Sequence, residues 1–130
     1  MRIVFDSNIY VSAFIFPDSR AADAISKVIL SNDTLILSPA IIAEVLAVLA
    51  SKFGRDKEGI SRTAVFLADL GSIVNPEKRI TVLNDDSDNR ILECARAGMA
   101  DAIVTGDKAI LQLKEYEGTK ILTLKEYLEH

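Results

Sequence analysis

The feature that most constrains the fold is a set of short, continuous apolar segments that alternate with helical segments. Residues 2–5, 34–37 and 102–105 are such segments, and their apolar residues follow one another without polar alternation. Strands of this kind are buried on both faces, as in a parallel sheet covered by helices. The sequence therefore predicts an α/β fold, a three-layer sandwich with a parallel sheet between helices.

Helical spacing of apolar residues fills the stretches between these strands. Ser38 followed by Pro39 is a strong helix start, because serine caps the first turn and proline fits its first residue. Asp88 is predicted to cap a later helix. The expected helices cover residues 20–30, 39–53, 58–70, 88–97, 108–116 and 124–128.

Three further segments complete the predicted order of elements. Residues 9–16 are apolar and fit either a strand or a helix. Residues 73–83 are expected to contain one or two short strands, broken by an asparagine and a proline. A last strand is predicted at 120–122.

Composition favours one domain that spans residues 1–130. The chain is 49% hydrophobic and 26% charged, which is typical of a single globular domain. Cys94 is the only cysteine and has no partner for a disulfide, so a cytoplasmic location is expected. No apolar run is long enough to span a membrane.

Three aspartates are predicted to meet at one edge of the sheet. Asp6 follows the first strand, Asp107 follows the strand at 102–105, and Asp88 opens the helix that is entered from the same edge. Ligands of such sheets bind beyond the carboxyl ends of the strands. Asp101 precedes its strand and should therefore lie at the opposite edge.

Glu44 is the most informative single residue of the middle of the chain. Its neighbours three and four positions away on the predicted helix are Ala40, Ile41, Ala47 and Val48. A carboxylate on an apolar stripe is costly unless a partner or a metal ion compensates its charge. The alternative is that it lies at the margin of the stripe and reaches water.

These four acids together favour a metal site, although each aspartate alone fits a plain turn or helix cap. Two carboxylates about 4 to 5 Å apart repel by roughly 3 to 4 kcal/mol at an effective dielectric near 20. Bound cations relieve that repulsion. Because the only histidine is the terminal His130, an all-oxygen site favours one or two Mg²⁺ or Mn²⁺ ions.

Four segments carry a resemblance to a known family. They are "VFDSNIYVSA", "LSPAIIAEVLAVLASKFG", "DDSDNRILECARAGMADAIVTGDKAIL" and "ILTLKEYL", in that order. The chain resembles the PIN domain, and within it the VapC-like toxins of prokaryotic toxin-antitoxin systems. The resemblance implies a metal-dependent ribonuclease that hydrolyses RNA phosphodiester bonds. It also implies that the metal ligands and catalytic residues are Asp6, Glu44, Asp88 and Asp107.

The resemblance further implies supporting residues and partners. Ser7, Asn8 and Thr105 match polar positions beside the acids. The family also implies a homodimer and a small antitoxin protein. Asp85 and Asp86 belong to an acidic turn, and either of them replaces Asp88 as a ligand if that turn is registered differently.

Positive charge for guiding RNA is sparse. The net charge of −4 disfavours a protein that simply coats nucleic acid. A locally basic segment follows the predicted helix at 39–53, and two further cations follow proposed ligands. The candidate RNA contacts are Lys52, Arg55, Arg90 and Lys108.

Other functions remain as alternatives. The domain could process RNA without being a toxin, or bind RNA or protein as an inactive module on the same fold. A phosphohydrolase of the haloacid dehalogenase type is disfavoured, because it needs a second aspartate two residues after the first. That position holds Asn8, which cannot transfer the proton.

Overall fold

The computed structural model describes all residues of the chain, Met1–His130, and contains six strands and seven helices. The strands are β1 (Arg2–Phe5), β2 (Thr34–Leu37), β3 (Ser72–Ile73), β4 (Ala102–Val104), β5 (Glu115–Tyr116) and β6 (Thr119–Leu122). The helices are α1 (Ser7–Ile15), α2 (Arg20–Leu30), α3 (Pro39–Phe53), α4 (Lys57–Leu70), α5 (Asp86–Ala97), α6 (Lys108–Leu111) and α7 (Leu124–Leu128).

The strands form one sheet in the order β3-β2-β1-β4-β6-β5. All neighbouring pairs are parallel except β5 and β6 at one edge. The chain moves outward from β1 through β2 to β3 and then returns to place β4 on the other side of β1. The order of strands therefore reverses between β1 and β4, which is where α/β sheets form a crevice for ligands.

The predicted three-layer α/β sandwich is confirmed. Beyond their first residues, β1 and β2 are buried, and β4 is buried throughout, because helices cover the sheet. One hydrophobic core of 28 buried residues joins these strands to the surrounding helices. The apolar segments identified in the sequence are thus the centre of the fold.

The predicted helix at 108–116 is wrong beyond Leu111. The chain instead forms the β5–β6 hairpin, whose turn residues Glu117 and Gly118 have φ values of 48° and 87°. Two successive residues with positive φ match the right-handed twist of a tight hairpin. Glycine accepts this conformation without strain, so the chain can reverse here and pair β5 with β6.

Residues 73–83 were expected to contain one or two short strands, and the structure has one, at the start of this segment. Only β3 is a strand, and the segment after it lacks regular structure until α5. Side chains of α5 hold this segment instead: Glu93 accepts the Ile80 N–H at 2.8 Å, and Asn89 bonds both the N–H and the carbonyl of Leu83. Residues 9–16, for which both a strand and a helix were possible, are helical up to Ile15 and form most of α1.

Asp101 lies at the edge predicted for it. Its Oδ2 accepts the N–H of Arg2, at the start of β1, at 2.7 Å. This is the amino end of the strand, opposite the end that carries Asp6. None of the helices has the length and apolar character needed to cross a membrane.

Candidate active site

Asp6 is buried directly beyond β1, at the point where the strand order reverses. Its N–H donates to the carbonyl of Val104 at 3.0 Å, which extends the pairing of β1 with β4. Its carboxylate accepts the Thr105 hydroxyl at 2.6 Å and the Asn8 N–H at 3.4 Å. The side chain is therefore fixed by both strands and by the first turn of α1.

The electrostatic setting of Asp6 is acidic. Burial raises the pKa of its carboxyl above the ordinary value, and the charges of Asp107 and Glu44 raise it further. The hydrogen bonds from Thr105 and Asn8 act in the opposite direction and lower this pKa. Three of the four predicted ligands are thus electrostatically coupled at one point.

Thr105 ties Asp6 to Asp107. Its buried hydroxyl donates to Asp6 and accepts the N–H of Asp107 at 2.9 Å. The Oδ1 of Asp107 then caps α6 by accepting the N–H groups of Ala109 and Ile110 at 2.9 and 3.1 Å. Asp107 is consequently a helix cap and an active-site neighbour at once.

Asp88 does not cap its helix, which corrects the prediction. Asp85 is the N-cap residue of α5 and accepts the Ser87 N–H at 2.9 Å, so the helix begins at Asp86. Asp88 lies in the first turn and is only 7% exposed. Because Asp85 satisfies the helix end, the carboxyl of Asp88 is available to face Asp107.

The carboxyl of Asp88 binds a proton more readily than that of an ordinary aspartate. Burial raises its pKa to about 7, and the charges of Asp107, Asp85 and Asp6 contribute to this rise. A hydrogen bond with Asp107 also favours the protonated form. Proton sharing is the response of crowded carboxylates that lack a cation.

Glu44 approaches the same region from α3. Glu44 is partly buried, and the nearby residues Ile41 and Val45 of the same helix are fully buried. Its carboxylate accepts the Ser7 hydroxyl at 2.7 Å. Ser7 is the first residue of α1 and follows Asp6 directly. The carboxylate of Glu44 therefore has a polar partner and contributes charge to the site of Asp6.

The donor set fits a divalent magnesium-like cation. All four side chains offer carboxylate oxygen, which Mg²⁺ and Mn²⁺ prefer. The charges of Asp107 and Asp6 raise the pKa of Asp88, and a cation would relieve the same repulsion. No three acidic, histidine or cysteine side chains already stand in the positions of a metal cage, so the carboxylates must adjust to bind an ion.

The candidate RNA contacts fall into two groups. Lys52 and Lys108 are exposed. Arg55 donates to the carbonyl of Phe14 at 3.1 Å, and Arg90 pairs with the buried Glu93 at 2.7 Å. The lysines are free to meet a ligand, whereas the arginines already hold parts of the fold together.

A cavity of about 330 Å³ beside the acids was missed by the sequence analysis. Asn8 and Gly106, which are neighbours of the acidic residues in sequence, form one part of its wall, and Ser12 and Phe16 extend it. The spacing of four residues between Asn8 and Ser12 was the available signal, since it places them on one face of α1, and Phe16 directly follows that helix.

A mostly parallel sheet with carboxylates near its switch point defines an α/β protein with an acidic site at the carboxyl ends of its strands. Within that class, residues 2–109 match the PIN domain family. The chain therefore belongs to the PIN domain family. The resemblance noted in the sequence is confirmed at this level.

Three relatives are similar over nearly the whole chain. An uncharacterized protein of Methanocaldococcus jannaschii, MJ1680, is 24% identical over 141 residues, covering 99% of this chain and 90% of that protein. The structure of VapBC2 from Rickettsia felis, bound to a DNA fragment from their promoter, matches with a TM-score of 0.67 and 16% identity, over 95% and 98% of the two chains. VapBC-1 from nontypeable Haemophilus influenzae matches with a TM-score of 0.66 and 18% identity, over 96% and 99%. These structures share the fold of this chain.

Proposed function

We propose that the protein is a divalent-metal-dependent ribonuclease, and that it is the toxin of a toxin-antitoxin pair. The observation that carries the proposal is the crowding of acidic side chains at the switch point of the sheet. Asp6 is electrostatically coupled to Glu44 and Asp107, and Asp88 is coupled to both aspartates. Without a cation, repulsion among these carboxylates destabilises the fold. A bound cation would offset that repulsion and supply chemistry for hydrolysis.

The proposed ligands are Asp6, Glu44, Asp88 and Asp107, which would hold one or two Mg²⁺ or Mn²⁺ ions. The cation supplies Lewis acidity toward a water molecule and a phosphate oxygen. Thr105 and Ser7 position the carboxylates of Asp6 and Glu44 through their hydroxyls. No nucleophilic side chain is required for hydrolysis of this kind.

Guidance of the RNA backbone is assigned to Lys52 and Lys108. Lys108 directly follows Asp107 in the chain and is exposed, which supports this role. Arg55 and Arg90 have partners within the fold and contribute by shaping the surface. Two or three cations suffice to orient a phosphate backbone without making the domain basic overall.

The toxin role rests on the likeness to the two VapBC structures. We propose on that basis that a small antitoxin covers the site and that the protein forms a homodimer. Expression of the chain alone is expected to arrest growth, and co-expression of the antitoxin should restore it. Normal growth on expression of the folded chain, despite RNA cleavage in the purified state, would favour an RNA-processing role.

The decisive assay measures cleavage of single-stranded RNA by the purified chain. We expect cleavage in Mg²⁺ or Mn²⁺ and none in EDTA. Asp6→Asn should lower the rate at least about a hundredfold, because it removes a ligand that fixes the cation. Cleavage that persists in EDTA would exclude a metal-dependent mechanism.

Asp101→Asn is the matched control for Asp6→Asn. Both residues are aspartates beside the central strands, but Asp101 binds the amino end of β1 through the Arg2 N–H. Its substitution should leave the cleavage rate of folded protein within a few fold of wild type. Equal losses in the two variants would contradict the assignment of the site to the carboxyl ends of the strands.

A further inference from the structure

The cavity beside the acids has the character of a ligand subsite. Its volume is about 330 Å³, which is within the range of small-ligand pockets. The phenyl ring of Phe16 borders it and is 58% exposed. A largely exposed phenylalanine at the mouth of a cavity offers an aromatic face that the fold itself does not cover.

The cavity adjoins the site of Asp6 and Asp107 through continuous backbone. Asn8 lies two residues after Asp6, and Gly106 directly precedes Asp107. Both residues line the cavity. The cavity wall and the acidic residues therefore share two short stretches of chain, residues 6–8 and 106–107.

The polar groups of the cavity are open to a ligand. The side chains of Asn8 and Ser12 make no hydrogen bond within the chain, and Asn8 is exposed. Arg20 also lines the cavity, is exposed and forms no ion pair. An aromatic face, an amide with both donor and acceptor, and one free cation are the groups that bind a nucleotide.

The dimensions favour a single nucleotide over a protein partner. A stable protein interface buries about 800 Å² on each side, and it does not fit into one small concavity. Base stacking on an aromatic side chain needs only one ring and tolerates any base. The free guanidinium of Arg20 complements a phosphate group.

We propose that this cavity binds the unpaired nucleobase beside the scissile phosphate of the RNA substrate. The base stacks on Phe16, the amide of Asn8 contacts the edge of the base, and Arg20 contacts the adjoining phosphate. The inference rests on the proposed ribonuclease function. It predicts that this cavity determines which positions of the RNA are preferred for cleavage. Stacking on Phe16 supplies affinity for any base, and Asn8 is the specificity-determining residue.

The test measures binding of single-stranded RNA oligonucleotides by fluorescence anisotropy. Ca²⁺ replaces Mg²⁺, so that the carboxylates have a counter-ion. Phe16→Ala should weaken binding at least about fivefold, the smallest effect expected for loss of one stacked base. Phe16→Trp should bind within twofold of wild type, because it keeps an aromatic face. Asn8→Ala should alter the preference among oligonucleotides that differ in one base.

Leu30→Ala is the matched control. Leu30 is an exposed apolar residue at the far end of α2, whereas Arg20 begins that helix at the cavity. The Leu30→Ala variant should bind RNA with wild-type affinity. Wild-type affinity in Phe16→Ala would overturn the inference, even if the cleavage assay succeeds. Phe16-dependent binding without any cleavage would keep the inference and refute the nuclease function, and absence of RNA binding by the wild type would refute both.

Discussion

At the scale of single residues, Thr105 explains how the site is built. Its hydroxyl links Asp6 at the end of β1 with the backbone of Asp107 after β4. The short strands could be predicted from their apolar residues, and with them the positions of these two aspartates. The hydrogen bonds of Thr105 could not be predicted, because they depend on the register between strands that are distant in sequence.

The raised pKa of Asp88 predicts an unusual dependence of the folding stability on pH. Its pKa is about 7 in the folded chain against an ordinary value of 3.8, so the metal-free fold binds this proton more tightly than the unfolded chain does. The resulting stabilisation is complete below about pH 4 and is lost as the pH rises through about 7. Asp88→Asn should lack this loss and melt at least about 3 °C higher than wild type near pH 8 without metal.

Thermal melts of both metal-free proteins between about pH 5 and pH 8 check this prediction. The melting temperature of the wild type should fall more over this interval than that of Asp88→Asn. Parallel curves would mean that Asp88 titrates as an ordinary exposed aspartate. The charges of Asp107 and Asp6 on the buried carboxyl would then be weaker than the structure indicates.

At the scale of elements, the first residue of α5 could not be predicted from the sequence. Three aspartates, Asp85, Asp86 and Asp88, cluster at the start of this helix, and any of them suits an N-cap. The structure assigns the cap to Asp85 and leaves Asp88 for the site. The existence of the helix followed from the sequence, whereas its first residue depended on competition among chemically equivalent side chains.

The role of α3 as the source of a metal ligand can be tested at Glu44. Glu44→Gln removes one charge from the acidic site and keeps an oxygen that can accept the Ser7 hydroxyl. The metal-free variant should be at least as stable as wild type. Added Mn²⁺ should raise its melting temperature less, because one ligand of the cation is lost.

Thermal melts with and without Mn²⁺ measure both effects. Glu129→Gln serves as the control, since it neutralises an exposed acid at the end of α7. The control should keep the full Mn²⁺-induced shift. The same shift in Glu44→Gln as in wild type would remove Glu44 from the metal site.

The segment between β3 and α5 depends on Glu93. This buried carboxylate accepts the Ile80 N–H at 2.8 Å and pairs with Arg90 at 2.7 Å. Glu93→Gln should destabilise the fold by about 1 to 3 kcal/mol, because the partly buried guanidinium of Arg90 loses its counter-charge. Chemical denaturation measures this loss in the free energy of unfolding.

Glu117→Gln is the control for this prediction. Glu117 pairs with Arg96 at 2.6 Å, but both side chains are exposed. Exposed ion pairs contribute little to stability, so the denaturation midpoint should stay close to that of wild type. Equal destabilisation by both substitutions would contradict a special role for the buried pair.

At the scale of the whole molecule, the order of the strands concentrates function at one place. β1 lies between β2 and β4, so the chain reverses direction across the sheet beside Asp6. The α/β architecture could be predicted, because continuous apolar strands require cover on both faces. The antiparallel edge could not, because it depends on the turn at Glu117 and Gly118, which does not disturb the apolar pattern.

We propose that carboxylates of distant segments jointly bind a catalytic cation at this crevice. Anomalous diffraction from a crystal of the protein soaked in Mn²⁺ measures whether they do. We expect density among Asp6, Glu44, Asp88 and Asp107. Density confined to other acids of the surface, or no density in this crevice of a Mn²⁺-soaked crystal, would refute the shared metal site.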